Sequence, residues 1–274
     1  MPSENPMQQQ SQAQSNAETF SYSRVTTFEQ CPRRYRYRYR DGVKEGFRGV
    51  EAFMGNCVHE ALEWLFLERS ADRVRTAAEA VGKYCEVWDR RYTDGGAVVR
   101  VIRAGTELEF YRRTGAELIE RFHRDRFSVD DRSTVAVEQH FVIELGGRQP
   151  FQGFIDRLAR DQSGTLHIID YKTGKRVPRD FRGKEADQLK AYAVAIFDRH
   201  GEAECSEVVL ELDFLRGSKP LRYRMQRSEA AATENDLLAR IDQVSDSTVF
   251  PPVPGILCQW CGFNDLCEGY RPRN

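Results

Sequence analysis

Apolar residues recur at intervals of three and four along the first half of the chain. Three segments show this spacing: residues 56–67, 73–89 and 106–124. The spacing places the apolar side chains of each segment on one face of a helix, so it predicts three amphipathic helices.

In the second half the pattern changes to a period of two. Apolar and polar residues alternate over residues 134–145, 151–160 and 165–173, which is typical of strands. Turn signals separate these segments, Gly146-Gly147 in the first gap and Ser163-Gly164 in the second. The three strands are therefore expected to form an antiparallel meander.

Helical spacing returns over residues 184–200, and a second helix is predicted over 229–246. Between them, residues 206–216 and 221–226 have the pattern of two further strands. The segment from 250 to 270 is broken by prolines and rich in cysteine. A sheet in the middle of the chain with helices before, within and after it predicts an α/β fold.

The N-terminal region has two features. Residues 1–19 are polar and rich in glutamine, so they are expected to be a disordered tail, and they lack the apolar core of a secretion signal. Order is expected from Phe20, with Ser21 or Ser23 as a helix cap. In the segment CPRRYRYRYRDG, Pro32 suits a first helical turn, whereas the alternation of tyrosine and arginine suits a strand; both remain open.

Composition narrows the class of protein. The chain has 274 residues, of which 40% are hydrophobic and 30% charged, and a net charge of −1, which does not exclude a nucleic-acid partner because the arginines are unevenly placed. No apolar run reaches the roughly 20 residues that span a bilayer. A cytoplasmic location is therefore expected. There, the seven cysteines are expected to be metal ligands, catalytic groups or core residues rather than disulfides.

Two acids and a lysine end neighbouring strands of the predicted meander. Asp170 and Lys172 point to the same side of their strand, and Asp156 lies on the strand before it. Two close carboxylates repel unless a cation lies between them, and Mg²⁺ or Mn²⁺ suits such ligands. Lys172 could then position or deprotonate an attacking water, or stabilise charge on a phosphate, which suits phosphodiester hydrolysis. The alternative is an ordinary solvated Asp–Lys pair at a hairpin.

Three further residues favour the catalytic interpretation. His59 lies on a predicted helix just after Gly55, where its imidazole could join the metal ion. Gln188 and Tyr192 share one face of a later helix and could contact a DNA phosphate or base. Glu138 could also help to bind metal, but a cross-strand arginine partner is the preferred interpretation, so it is left outside the predicted site.

The segments GNCVHEALEW, GFIDR, IIDYKTGK and QLKAY, in this order, resemble the RecB-type branch of the PD-(D/E)xK nuclease superfamily. The resemblance implies a restriction-endonuclease-like mixed sheet flanked by helices. It also implies metal ligation by His59, Asp156, Asp170 and the Tyr171 carbonyl, catalysis by Lys172, and an accessory motif of Gln188 and Tyr192. The proline of the superfamily name is absent, since Ile155 precedes Asp156, as is common in this branch.

Cys258, Cys261 and Cys267 form the spacing C-x₂-C-x₅-C, which suits one metal centre. Cys31 is the best candidate for a fourth ligand. Spacing alone does not distinguish zinc from an iron–sulfur cluster. The remaining cysteines, Cys57, Cys85 and Cys205, are interpreted as core residues or isolated thiols.

An N-terminal Cys-Pro with a C-terminal C-x₂-C-x₅-C also resembles the iron–sulfur RecB-like nucleases, which include the AddB subunits of helicase–nucleases and CRISPR-associated exonucleases. That resemblance implies a structural [4Fe–4S] cluster held by the four cysteines, with zinc as the less favoured occupant. Such a cluster would tie together the two ends of the domain.

A basic and aromatic segment is the candidate DNA-binding surface. Arginine neutralises phosphates and tyrosine stacks on unpaired bases, so the mixture suits single-stranded DNA; a solvated helix face is an equally weighted alternative. The candidate residues are Arg33, Arg34, Tyr35, Arg36, Tyr37 and Arg38. Arg176, with Arg179 and Arg182, follows the catalytic strand and could guide the DNA backbone into the site.

The sequence thus predicts a metal-dependent DNA nuclease, an exonuclease on single-stranded or frayed ends, acting in repair, recombination or foreign-DNA processing. It predicts one domain over residues 20–274, composed of a mainly helical part (20–130), a nuclease core (131–228) and a cluster-binding end (229–274). No phosphate loop of a helicase occurs, so unwinding would need a partner. The alternatives are a non-catalytic DNA-binding or scaffold subunit and a CRISPR adaptation factor that trims DNA.

Overall fold

The computed structural model describes residues 18–94 and 98–271, so that the predicted disordered tail lies almost entirely outside the described residues. The helices are α1 (Tyr22–Gln30), α2 (Pro32–Tyr35), α3 (Val50–Ser70), α4 (Ala77–Asp94), α5 (Leu108–Asp125), α6 (Lys184–Arg199) and α7 (Ala230–Ser245). The strands are β1 (Phe20–Ser21), β2 (Phe47–Gly49), β3 (Val98–Arg100), β4 (Ser133–Leu145), β5 (Gln149–Arg160), β6 (Leu166–Lys172), β7 (Glu207–Phe214) and β8 (Leu221–Gln226).

The main sheet is mixed. Strands β4, β5 and β6 form the predicted antiparallel meander, β7 runs parallel to β6, and β8 returns antiparallel to β7. Helix α6 makes the crossover between β6 and β7, as a parallel pair requires. The expected α/β class with a mixed central sheet is confirmed.

Helices cover both faces of this sheet and enclose two cores. On one face, α3, α4 and α5 pack over β6, where Phe66 stacks on Tyr171 with ring centroids 6.3 Å apart. On the other face, α6 carries an almost unbroken buried run from Ala191 to Phe197, which packs against Ile168 and Leu210. The alternation along β6 therefore sends Tyr171 to one core and Ile168 to the other.

The predicted helices exist, but two of them begin elsewhere. Helix α3 begins at Val50, and Gly55 lies inside it rather than before it. A side chain at Gly55 would come within 3.2 Å of Thr173 Oγ1, so the glycine permits close approach of the helix to the end of β6. Helix α4 begins later than predicted because Thr76 caps it, its hydroxyl accepting from the Glu79 amide while the Glu79 carboxylate accepts from Thr76.

The tyrosine–arginine segment is helical. Helix α2 begins at Pro32 and continues into one π-helical turn, Arg36–Arg40, so the strand alternative is wrong. The helix is favoured because it buries Tyr35 completely, against Phe28 and Phe250. Within the described residues, no helix is long and apolar enough to cross a bilayer.

Candidate metal and catalytic site

The site lies where the main sheet divides. Strand β5 pairs with β6 only over residues 157–160, while its other end, Phe151 and Gln152, pairs in parallel with the short strand β1. Between these two pairings, β5 and β6 separate. Asp156 comes directly before Arg157, the first residue of β5 that pairs with β6, and Asp170 comes directly after Ile169, the last residue of β6 that pairs with β5. Their side chains therefore meet at the opening of the division.

Asp156 is held from two sides. Its Oδ2 accepts a hydrogen bond from the Tyr171 amide at 2.8 Å, which ties the carboxylate to the end of β6. The same oxygen lies 3.3 Å from Nδ1 of His59, which α3 presents across the sheet face. The predicted meeting of His59 with the acids of the meander is thus observed in the fold.

Glu138 belongs to the same group. It lies opposite Asp156 in the β4–β5 register, since the neighbouring pairs are Val137 with Arg157 and Gln139 with Ile155. Its Oε1 is 3.9 Å from His59 Nδ1, and among the described residues its ion-pair partner is this histidine. The preferred interpretation of Glu138 as a partner of an arginine is therefore wrong.

The backbone at Glu138 has φ of 44°, in the left-handed region that residues other than glycine rarely adopt. Such a conformation costs on the order of 1–3 kcal/mol and tends to occur at functional sites. Alternation of a regular strand would not have turned Glu138 towards α3, so this local irregularity brings the third acid into the group. Nothing in the residue types around Glu138 signals it.

Asp170 is paired with the predicted catalytic lysine. Lys172 Nζ lies 2.7 Å from Asp170 Oδ2, and the carboxylate is almost completely buried. Apart from this ion pair, the buried oxygen has no hydrogen-bond donor among the described residues. A buried acceptor without a donor is the kind of ligand that a bound cation would satisfy.

The electrostatics show that the acids crowd one another. Burial, and next the charge of Asp156, raises the pKa of Glu138 to about 7. The same two causes raise the pKa of Asp170. Burial also acts on Asp156, but His59, the Tyr171 amide and Lys172 together outweigh it and lower the pKa of that carboxyl. Burial opposes protonation of His59, yet Asp156 raises its pKa to about 9. Imidazolium thus balances part of the charge that a metal ion would balance.

The residues present fit a hard divalent cation. Ligand atoms of His59, Glu138 and Asp156 all lie within 4.8 Å of one another, and two carboxylates with one imidazole suit Mg²⁺ or Mn²⁺. The predicted ligand set of His59, Asp156 and Asp170 differs from this group in one member. Asp170 lies beside it but is engaged with Lys172.

The other predicted residues of the site lie around this group. The Tyr171 ring is buried between α3 and α5, which leaves its main chain at the site. Gln188 Nε2 donates to the Tyr192 hydroxyl at 2.8 Å, as their shared helix face predicts. Tyr192 packs against Phe141 where Gly153 leaves room, since a side chain at Gly153 would come within 2.7 Å of both rings. Burial, with the nearby acids, raises the pKa of Tyr192 to about 12.

The four predicted cluster ligands line one small cavity, far apart in sequence but together in space: Cys31, Cys258, Cys261 and Cys267. Main-chain amides face two of the sulfurs, with the Val253 amide 3.5 Å from Cys31 Sγ and the Gly255 amide 3.3 Å from Cys258 Sγ. Such N–H donors stabilise thiolates. Cys57 and Cys205 are buried elsewhere in the two cores.

The basic and aromatic segment does not form the open surface that its sequence predicts. Tyr35 is fully buried, so it cannot stack on a base, and that prediction is wrong. Tyr37 packs on Phe263 and donates to the Leu266 carbonyl. The arginines are engaged with acids: Arg33 with Glu268, Arg34 and Arg38 with Glu45, and Arg36 with Asp41. Arg176 is exposed beyond β6.

The split sheet carries acids on adjoining strands, with a lysine two residues after one of them, which is the arrangement that the sequence resemblance implies. The family model of the PD-(D/E)XK nuclease superfamily matches residues 19–268, and the chain belongs to this superfamily. The mixed sheet flanked by helices is consistent with its restriction-endonuclease-like fold. Membership implies a hydrolase that cleaves DNA with divalent metal ions.

Other comparisons add little. No curated protein matches the chain. Among solved structures, one described as the crystal structure of SSO0001 is 14% identical, with a TM-score of 0.38 over 95% of this chain and 91% of that one. A likeness this weak carries no argument about function.

Metal binding should stabilise the folded protein measurably. Because the three acids repel one another without an ion, we expect Mn²⁺ to raise the melting temperature of EDTA-treated protein by several degrees; saturation at 100 times Kd corresponds to about 2.7 kcal/mol. Glu138→Gln should melt higher than wild type in EDTA at pH 8, because it removes a carboxylate that the folded state disfavours. Its melting temperature should also rise less when Mn²⁺ is added.

The matched control is Asp198→Asn, which neutralises an exposed acid near the end of α6. It should respond to Mn²⁺ as wild type does. Equal Mn²⁺ shifts in Glu138→Gln, Asp156→Asn and the control would show that the ion binds elsewhere.

Proposed function

We propose that the protein is a RecB-type DNA exonuclease that degrades single-stranded or frayed ends with Mg²⁺ or Mn²⁺. One observation carries the proposal: Asp156 and Asp170 meet at the division of the sheet, with His59 above them and Lys172 2.7 Å from Asp170. The setting proposed is repair, recombination or processing of foreign DNA. A helicase partner would supply unwinding.

The chain's own residues account for the hydrolysis. In the reaction, water oxygen bonds to phosphorus, the bond from phosphorus to one sugar oxygen breaks, and a proton passes from the water to the leaving oxygen or to solvent. When bound, a divalent ion supplies charge neutralisation and Lewis acidity. His59, Asp156 and Asp170, with Glu138, would hold the ion. Lys172 would stabilise the negative charge that builds up on the phosphoryl oxygens.

Gln188 and Tyr192 are proposed to contact the DNA near the scissile phosphate. Their side chains are already joined by a hydrogen bond, which leaves the second amide proton of Gln188 free to donate to a phosphate oxygen. Arg176, exposed just beyond β6, is proposed to meet the incoming backbone.

We further propose a structural [4Fe–4S] cluster on Cys31, Cys258, Cys261 and Cys267. The four cysteines line one small cavity, although Cys31 lies more than 220 residues from the other three, and two of the sulfurs accept from main-chain amides. Such amide donors are typical of the surroundings of cluster thiolates, and the resemblance to iron–sulfur nucleases favours the cluster over zinc.

The exonuclease mode can be tested with substrates that differ only in having ends. With Mn²⁺, an end-labelled linear single strand should be degraded at least about tenfold faster than a circular single strand of the same sequence. A need to thread a free end into the site is the physical reason for this difference. Equal rates on the two substrates would assign an endonuclease instead.

A further inference from the structure

A cleft of about 550 Å³ opens beside the catalytic strand, where the chain leaves β6. Residues 173–175, directly after Lys172, form one wall, and Phe110 and Tyr111 of α5 form another. Trp260 closes it from the cysteine-rich segment, lying between two of the proposed cluster ligands. The volume falls within the range of about 300–1,000 Å³ that small-ligand sites occupy.

Three cations line the cleft, namely Arg103, Lys175 and Arg216. In the part of the chain that the structure describes, none of the three lies within ion-pair distance of a carboxylate, although Glu51 lines the same cleft. Arg216 is half-buried, and burial lowers its pKa, which the charge of Glu117 offsets only in part. Its Nε donates to the Thr173 carbonyl at 3.2 Å, which fixes the guanidinium next to the catalytic strand. Phosphate is the anion that such a cluster suits.

Two aromatic rings stand half-exposed in the same cleft. Trp260 is 37% and Phe110 39% exposed, although both are large apolar side chains that folding would ordinarily bury. Lys175 Nζ lies 5.8 Å from the centre of the Phe110 ring, so charge and aromatic surface are adjacent. Aromatic faces beside cations are the elements that bind unpaired bases.

The cleft also contains an acceptor without a donor. One oxygen of Glu51 accepts from the Tyr111 hydroxyl at 2.9 Å, while the other, Oε2, is buried and has no hydrogen-bond donor among the described residues. A carboxylate in this position can accept from the exocyclic amino group of a base.

We propose that this cleft binds one unpaired nucleotide of a DNA single strand next to the scissile phosphate. The base lies against Trp260 and Phe110, the phosphates face Arg103, Lys175 and Arg216, and Glu51 accepts from an exocyclic amino group. A paired base has both faces and its pairing edge occupied, so the cleft selects unpaired strands. The inference rests on the proposed function, because it places the substrate at the same site.

Binding is best measured in protein that also carries Lys172→Ala, with fluorescent single strands and duplexes. Trp260→Leu should bind single strands about tenfold or more weakly, whereas Trp260→Phe, which keeps a ring, should stay within about threefold. Duplex binding should change little in either variant. Tyr92→Leu is the matched control, because Tyr92 is an exposed aromatic residue outside the cleft and should bind as the parent does.

The proposed role of Glu51 is tested by comparing how tightly strands of different bases bind. Oligo-dC, which has an exocyclic amino group, should bind several-fold more tightly than oligo-dT, and Glu51→Ala should remove the difference. Retention of the full preference in Glu51→Ala would take Glu51 out of the proposed site.

The experiments distinguish an error in the proposed nucleotide-binding cleft from an error in the nuclease assignment. If wild-type protein degrades DNA with Mn²⁺ but Trp260→Leu binds single strands as tightly as Tyr92→Leu, the cleft assignment is wrong and the activity stands. If wild-type protein cleaves nothing while Trp260→Leu alone loses binding, the cleft stands and the proposed function is wrong. Melting temperatures of the leucine and phenylalanine variants confirm that both compared proteins are folded.

Discussion

Lys172→Ala should reduce Mn²⁺-dependent degradation of a labelled oligonucleotide by about a hundredfold or more. Lys172 is the cation that β6 places beside Asp170, and removal of one group that stabilises transition-state charge typically costs a factor of 10²–10³. The loss should lie in kcat rather than in DNA binding, because the charge that Lys172 meets develops only during the reaction.

The control for this variant is Lys184→Ala, which removes an exposed lysine at the start of α6. It should degrade DNA at the wild-type rate. Equal degradation by Lys172→Ala and wild type would end the catalytic assignment of Lys172, and no degradation by the wild type would favour a DNA-binding subunit that keeps the fold without the chemistry.

The core of this site can be predicted from sequence because it follows local rules. Alternation along one strand places Asp170 and Lys172 on one side and Tyr171 on the other, and Tyr171 accordingly joins one core while Ile168 joins the other. Antiparallel pairing across a glycine turn then brings Asp156 near Asp170. Both steps need only residues that are close along the chain.

Two contributions to the site depend on tertiary structure. Glu138 joins the acids because its backbone adopts a left-handed conformation, which no residue type at that position requires. Beyond the point where β5 and β6 separate, β5 pairs instead with β1, which is only two residues long and lies beside Phe151. A pairing between residues 20 and 151 has no local sequence signal.

The tyrosine–arginine segment shows how composition can suggest a ligand-binding surface where the structure has contacts within the protein. Its composition suits nucleic acid, but Tyr35 is fully buried and Arg38 contacts Glu45. The segment instead connects the two ends of the described chain, since Arg33 Nε donates to the Phe250 carbonyl at 2.8 Å and its guanidinium pairs with Glu268. Composition alone does not separate a surface that binds a ligand from one that binds the protein's own C-terminal segment.

The second large effect is expected at the junction where the C-terminal segment contacts α2. The C-terminal segment from residue 246 to 271 contains only short 3₁₀ turns, and few large apolar side chains in it are buried. Its attachment to α2 therefore depends on the contacts of Arg33 and Tyr37 and, as we propose, on the ligation of four cysteines. A cross-link that closes a loop of roughly 230 residues stabilises the folded state by about 5 kcal/mol in the chain-entropy description.

Cys267→Ser should consequently lose the cluster and several degrees of melting temperature, and protease should cut it first within residues 246–271. Anaerobically purified wild-type protein should be brown and contain about four iron and four sulfide per chain. Cys85→Ser is the matched control, because Cys85 is a half-buried free cysteine in α4, away from the cavity. It should keep wild-type colour, iron and stability. Colourless wild-type protein with stoichiometric zinc would replace the cluster by a zinc site at this junction, and equal behaviour of the two serine variants would leave only side-chain contacts to hold the segment.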